Sequence, residues 1–143
     1  MEYYVNEQMK HLNLLTSELD KAYHEAALKL GLSDSVMLIL YTLCWCEGEC
    51  LLGDLTSSAS KQTINSALRK LEADGIVRLE TFRGRKKKVR LTDKGEQYVK
   101  DTVYPIIRIE NEISDSWSEE EKNTYIELTR RYLEAFREKL KEV

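Results

Sequence analysis

The chain has a single proline in 143 residues, with only two histidines, three cysteines and six glycines. One proline excludes a polyproline or collagen-like fibre, which needs that ring at regular intervals. Cys44, Cys46 and Cys50 are odd in number and bunched, which excludes a disulfide framework and suits a reducing compartment. Cys46 and Cys50 flank the turn at residues 47–49, but His11 and His24 are distant from them in sequence, so the spacing of a zinc site is incomplete. No nucleophile elbow, phosphate-binding glycine loop or His-Glu metal motif occurs, and we expect no enzymatic activity, no metal and no cofactor. No run reaches the roughly 18 apolar residues of a membrane-spanning helix. The longest candidate, residues 36–46, is interrupted by Thr42. The N-terminus, with Glu2, Asn6, Glu7 and Lys10, lacks the pattern of positive charge followed by an apolar core that marks a signal peptide. The expectation is a cytoplasmic chain without a membrane partner.

What is present is a core's worth of apolar residues, 42% of the chain, and 33% charged residues. The length fits one domain with long flanking helices. Met9, Leu12, Leu15, Leu19, Tyr23, Ala26 and Leu30 recur at helical steps, predicting an amphipathic helix over residues 6–30 that Gly31 ends. Ser33 can cap a second helix, apolar on more than one face through Val36, Met37, Leu40, Leu43 and Cys44. After the turn at 47–49 come a short segment at 51–56, a small-residue break at 57–60 and a clearer helix over 61–74. Val77, Leu79 and Thr81, then Val89 and Leu91, alternate with charged residues as half-buried strands do, around a reversal at residues 82–85. Thr92 can cap a long helix running through Ile113, with a kink or break expected at Pro105. Ser118 and Glu121 have capping-box spacing, opening a last helix with Tyr125, Leu128, Tyr132, Leu133, Phe136 and Leu140 at helical intervals.

Charge is unevenly distributed. The whole chain carries −3, yet residues 60–94 hold 11 Lys and Arg against four Asp and Glu, a balance of +7 that leaves −10 for the remainder. Such a block directs a polyanion to one face of the molecule. On the helix over 61–74, Ile64, Ala67, Leu68 and Leu71 gather on one side and leave Lys61, Gln62, Asn65, Ser66 and Arg69 on or near the other. Asn and Gln can make paired bonds to adenine and Arg to guanine in a major groove. Ser60, the N-cap, and Thr63 are short donors suited to phosphate near the helix start. Alone, this face could equally be an ordinary solvated surface. Directly downstream, however, Arg83, Arg85, Lys86, Lys87, Lys88 and Arg90 place six cations within eight positions around a hairpin tip, an arrangement that repels itself without an anionic partner.

These ordered residues resemble the MarR family of transcriptional regulators. The resemblance is carried by Ser60-Lys61-Gln62-Thr63-Ile64, Leu68-Arg69-Lys70-Leu71 and Glu72-Ala73-Asp74-Gly75-Ile76-Val77, then the hairpin and Leu91-Thr92-Asp93-Lys94-Gly95. It implies a mostly α, winged helix-turn-helix fold with a two- to three-stranded wing. Residues 32–103 would form the DNA-binding region, and 1–31 and 104–143 the long dimerisation helices. It also implies a homodimer on a pseudo-palindromic operator in double-stranded DNA, acting as a repressor that a small lipophilic or phenolic molecule releases. His11, Leu15, Tyr41, Trp45 and Ile107 are the candidate lining of that effector's crevice. The wing departs from the family in being shorter and in lacking the acid that commonly precedes its arginine, so either Arg83 or Arg85 takes that arginine's role. The cysteine with which some relatives sense peroxide lies in the first helix, where this chain has none, and Cys44, Cys46 and Cys50 read as buried, inert thiols. The competing reading from another class is a winged-helix module whose basic hairpin docks an acidic protein.

Overall fold

The computed structural model describes residues 1–55 and 60–143, apart from the side chain of Phe82. Packing divides it into two compact units, Met1–Ile106 and Ile107–Val143. The small-residue break expected over 57–60 lies outside the described residues except for Ser60.

The first unit opens with helix α1, Glu7–Lys29, capped where Asn6 Oδ1 accepts the Met9 N–H at 2.9 Å. Only Ala27 of this helix is buried. Helix α2, Asp34–Trp45, begins at Ser33, whose hydroxyl accepts the Val36 N–H at 3.2 Å. It carries Val36, Met37, Ile39, Leu40 and Leu43 into the core, which is why its sequence is apolar around more than one face. A second tie joins these two helices, since Nδ1 of His24 lies 2.9 and 3.0 Å from the two carboxylate oxygens of Asp34.

After α2 the backbone turns through Glu47 (φ 56) and Gly48 (φ 94), with the Gly48 N–H donating to the Leu43 carbonyl at 2.7 Å. Residue 49, expected in the turn, instead starts strand β1, Glu49–Leu51. Three residues are too few to show a period of two in sequence, and it is pairing that makes them a strand. Cys50 opposes Val89, and Leu91 donates to the Gly48 carbonyl at 2.9 Å. The short helix α3, Leu52–Leu55, follows and buries Leu55.

Helix α4, Lys61–Ala73, packs on α2 and buries Ile64, Ala67, Leu68 and Leu71. Burying a side chain of this size is worth roughly 1.5–3 kcal/mol relative to leaving it in water, so this stripe anchors the helix. Strands β2, Val77–Phe82, and β3, Lys86–Leu91, form an antiparallel hairpin, and the three strands lie in the order β1-β3-β2. Gly84 (φ 71) makes the reversal with Arg83, itself at φ 37. A side chain in that region costs roughly 1–2 kcal/mol, which favours glycine at one of the two positions.

Thr92 caps helix α5, Asp93–Asp101, through the Gly95 N–H at 3.0 Å. Gly95 is buried there, and a Cβ on it would collide with the Ile76 carbonyl oxygen. The helix expected to run on to residue 113 breaks at Thr102 (φ −119, ψ −89), not at Pro105. The displacement is what proline sterics require: its ring crowds the carbonyl four residues back, that of Asp101, and its missing N–H is harmless in the first turn of a new helix. That helix is α6, Val103–Asp115.

In the second unit, helix α7, Glu119–Leu140, opens with the expected capping box. Ser118 Oγ accepts the Glu121 N–H at 3.1 Å and Glu121 Oε1 accepts the Ser118 N–H at 2.9 Å. These bonds, the Ser118 backbone N–H foremost, hold the Glu121 carboxyl below its ordinary pKa. No residue of α7 is buried. Among the described residues, no single helix is long and apolar enough to cross a membrane.

Candidate nucleic-acid interface

Helix α4 turns its apolar stripe inward and therefore presents the opposite face outward: Lys61, Gln62, Thr63, Asn65, Ser66 and Arg69 are all exposed. At its start Ser60 Oγ accepts the Thr63 N–H at 3.2 Å and meets Thr63 Oγ1 at 2.7 Å, so the two hydroxyls expected to face phosphate already bond one another. That bond uses one of the two hydroxyl protons, so one proton of the pair is left to donate to a further partner.

The wing returns to this face. Asn65 and Lys61 of α4, Asp54 of α3 and Arg85, Lys86 and Lys87 of the wing line a hollow of about 590 Å³. An adjoining hollow of about 470 Å³ is bordered by Asn65, Arg69, Glu72, Arg85 and Lys87. Asn65, Arg85 and Lys87 are common to both, so they sit where the helix and the hairpin converge. Leucines share the walls, Leu52 in both and Leu68 and Leu79 in the second, and above them the Asn65 amide and the Lys61, Arg69, Arg85 and Lys87 cations suit a ligand with both negative charge and hydrogen-bonding edges.

The run Lys86-Lys87-Lys88 is not one block of charge, because side chains alternate along a strand. On β3, Val89 and Leu91 face the core and Lys87 borders the hollow with α4. Lys88 is turned to Glu49 of β1, with Nζ 3.1 Å from Oε1, and Arg90 meets the same carboxylate through Nη2 at 2.8 Å and Nε at 2.9 Å. Arg90 also lies 3.9 Å from Glu80, which Arg78 approaches at 3.1 Å. The hydrogen bond from Lys88, then that from Arg90, holds the Glu49 carboxyl below the ordinary carboxylate range. Lys88, expected on the DNA, thus pairs with an acid of the sheet. Among the described residues Arg85, Lys86 and Lys87 have no ion-pair partner. Arg83 occupies the turn itself and is exposed.

Sequence reasoning did not single out Glu49 and Asp54. An acid opening a three-residue alternating segment, Glu49-Cys50-Leu51, was the one available signal for the first. Nothing in sequence marks Asp54 as a neighbour of the wing.

The five candidate crevice residues lie apart from these hollows. Tyr41 and Trp45 meet edge to face on α2, ring centroids 5.0 Å apart, with Trp45 70% exposed. His11 and Leu15 are exposed on α1, Ile107 belongs to the second unit, and none of the five lines either hollow described above. Cys50 is buried, and burial together with the neighbouring Cys46 pushes its thiol up to about 12. Cys44 is raised as well by burial, so neither is an ionised thiol at neutral pH. No group of three or more His, Cys, Asp and Glu among the described residues is gathered closely enough to hold a metal ion.

No protein-family model and no curated protein matches this chain. Solved structures do. A MarR family regulator from Neisseria meningitidis superposes with a TM-score of 0.82 at 17% identity, over 96% of this chain and 99% of that one. A MarR family transcriptional regulator from Silicibacter pomeroyi gives 0.68 at 23% identity, over 85% and 84%. NadR, solved in complex with 4-hydroxyphenylacetate, gives 0.69 at 15% identity, over 92% and 95%. The chain has the MarR-type winged-helix fold.

Proposed function

We propose that this chain is a sequence-specific, DNA-binding transcriptional regulator that acts in the cytoplasm as a homodimer on a pseudo-palindromic operator. The observation that carries the reading is the convergence of Lys61, Asn65 and Arg69 with Arg85 and Lys87 around two shared hollows. Helix α4 lies in the major groove, where Gln62, Asn65 and Arg69 meet base edges and Lys61, Ser66 and the Ser60–Thr63 cap approach phosphate. Arg83, Arg85, Lys86 and Lys87 hold the flanking backbone or minor groove. Lys88 stays on Glu49 and makes no phosphate contact.

Self-association is supported by the apolar stripes left open on two helices. Leu12, Leu15 and Leu19 of α1 and Tyr125, Leu128, Tyr132 and Phe136 of α7 are each about half exposed. A second copy offers the same stripes, and two-fold pairing sets the two α4 helices on half-sites about 34 Å apart. The role is repression by occupancy, relieved by a small phenolic acid. NadR carries such a molecule, and Tyr41 and Trp45 are the aromatic groups of this chain best suited to one.

The test is electrophoretic retardation of genomic fragments, with duplexes selected from random sequence. Binding should weaken steeply with salt, log affinity falling by about 0.9 per phosphate contact in log salt. Arg85→Ala should weaken binding to all sequences alike. Asn65→Ala should cost about 1–3 kcal/mol at one base position and little elsewhere. Equal losses on selected and random duplexes for both substitutions contradict these roles, and retention of an acidic protein without retention of duplex favours the interaction-module reading.

A further inference from the structure

The wing separates its cations into two populations, and Glu49 makes the closest acidic contacts that separate them, with Glu80 further off at 3.9 Å from Arg90. Glu49 comes from β1, a strand outside the hairpin, and is 39 positions from Lys88 and 41 from Arg90 in sequence. Its Oε1 takes the Lys88 ammonium and its Oε2 takes two nitrogens of the Arg90 guanidinium. The pairing register puts Glu49 directly opposite Arg90, with Lys88 two residues along the same face of β3. Lys87, next to Lys88 on the strand, faces the other way and borders the hollow beside Asn65 and Arg69.

We propose that Glu49 is a specificity-determining residue, which withholds Lys88 and Arg90 from DNA phosphate so that contacts from α4 and the wing tip decide where the protein binds. The proposal rests on the duplex-binding reading above and adds to it a residue that touches no base. Affinity for random sequence comes almost wholly from cations meeting phosphate, whereas base edges alone distinguish one site from another. Two more mobile cations on the wing raise binding to every duplex, and the ratio of selected to random affinity falls. An acid on a DNA-facing element is ordinarily a repulsive bystander. Here it neutralises the two cations that alternation turns away from α4, and leaves Arg85, Lys86 and Lys87 uncommitted.

The experiment compares the wild-type chain with Glu49→Gln on a random duplex across about 50–200 mM salt, and on a duplex selected by the wild type. We expect the log–log salt dependence to steepen by about 0.9 for each cation released, up to about 1.8. Random-duplex affinity near 0.15 M salt should rise about fivefold or more, and the selected-to-random ratio should fall. A steepening below about half a unit, with random affinity within about twofold of wild type, overturns the proposal. Because Glu49→Gln also loosens β1, a second pair of variants reads the same claim from the cations. Arg90→Gln should leave the salt dependence as it is, whereas Lys87→Gln should flatten it by about 0.9. Equal flattening by both overturns the assignment. A wild type that shows no salt-dependent retention at all defeats the duplex-binding reading and this proposal together, a result distinct from wild-type binding that Glu49→Gln leaves unchanged.

Discussion

Helices α4 and α7 are both amphipathic, yet α4 brings Ile64, Ala67, Leu68 and Leu71 to 7% exposure or less, while α7, at 22 residues, buries nothing. The stripes are equally regular in sequence. Spacing therefore tells that a helix needs an apolar partner and is silent on which chain supplies it. For α4 the partner is α2 within the same unit. For α7, whose Tyr132 and Phe136 rings stack at 6.1 Å in the open, a second copy is the proposed partner.

The contrast can be broken at either end. The largest effect is expected from Leu68→Ala, which hollows the α4 contact and should lower unfolding free energy by about 2–5 kcal/mol in urea, whatever the protein concentration. Gly95→Ala should follow at about 1–3 kcal/mol, since its Cβ meets the backbone of Ile76 and not a side chain that can move aside. A change below about 0.5 kcal/mol in either would show that the first unit tolerates loss of close packing. Phe136→Asp on α7 should change the folded monomer little. In sedimentation at micromolar concentration it should reduce the mass from twice 16.7 kDa towards 16.7 kDa. Unchanged association would make the α7 stripe a solvated surface.

The smallest effect concerns pH. The folded pKa of Glu49 is depressed by Lys88 and Arg90, so its stabilising contribution is fully present above the ordinary carboxylate value and is lost as pH falls through the depressed one. The difference in urea midpoint between wild type and Glu49→Gln should stay flat from neutral pH down to the ordinary carboxylate range and close only in stronger acid. A difference that closes near neutral pH would place the titrating group elsewhere.

Four helix starts, Ser33, Ser60, Thr92 and Ser118, were legible because a cap and the turn it satisfies are neighbours in sequence. The exposed face of α4 was legible for the same reason, since one buried stripe dictates what the other side shows. What escaped notice depends on distant partners. β1 exists only because β3 offers it an edge, and the Lys88 ammonium meets in Glu49 a carboxylate 39 positions away in sequence. The break at Thr102 was displaced from Pro105 by a local rule applied at the wrong residue, since the ring acts on the carbonyl one turn upstream. The hollows shared by α4 and the wing were not legible, because each wall is a separate element and their distance apart is tertiary.

The central claim is that the surface formed by α4 and the hairpin receives a DNA duplex. Backbone amide resonances followed during titration with a selected duplex test it directly. The account predicts that shifts concentrate on residues 60–69 and 83–87 and vanish at high salt, while α7 is unmoved. Shifts confined to α7, or an identical pattern produced by an acidic peptide and not by duplex, would contradict it.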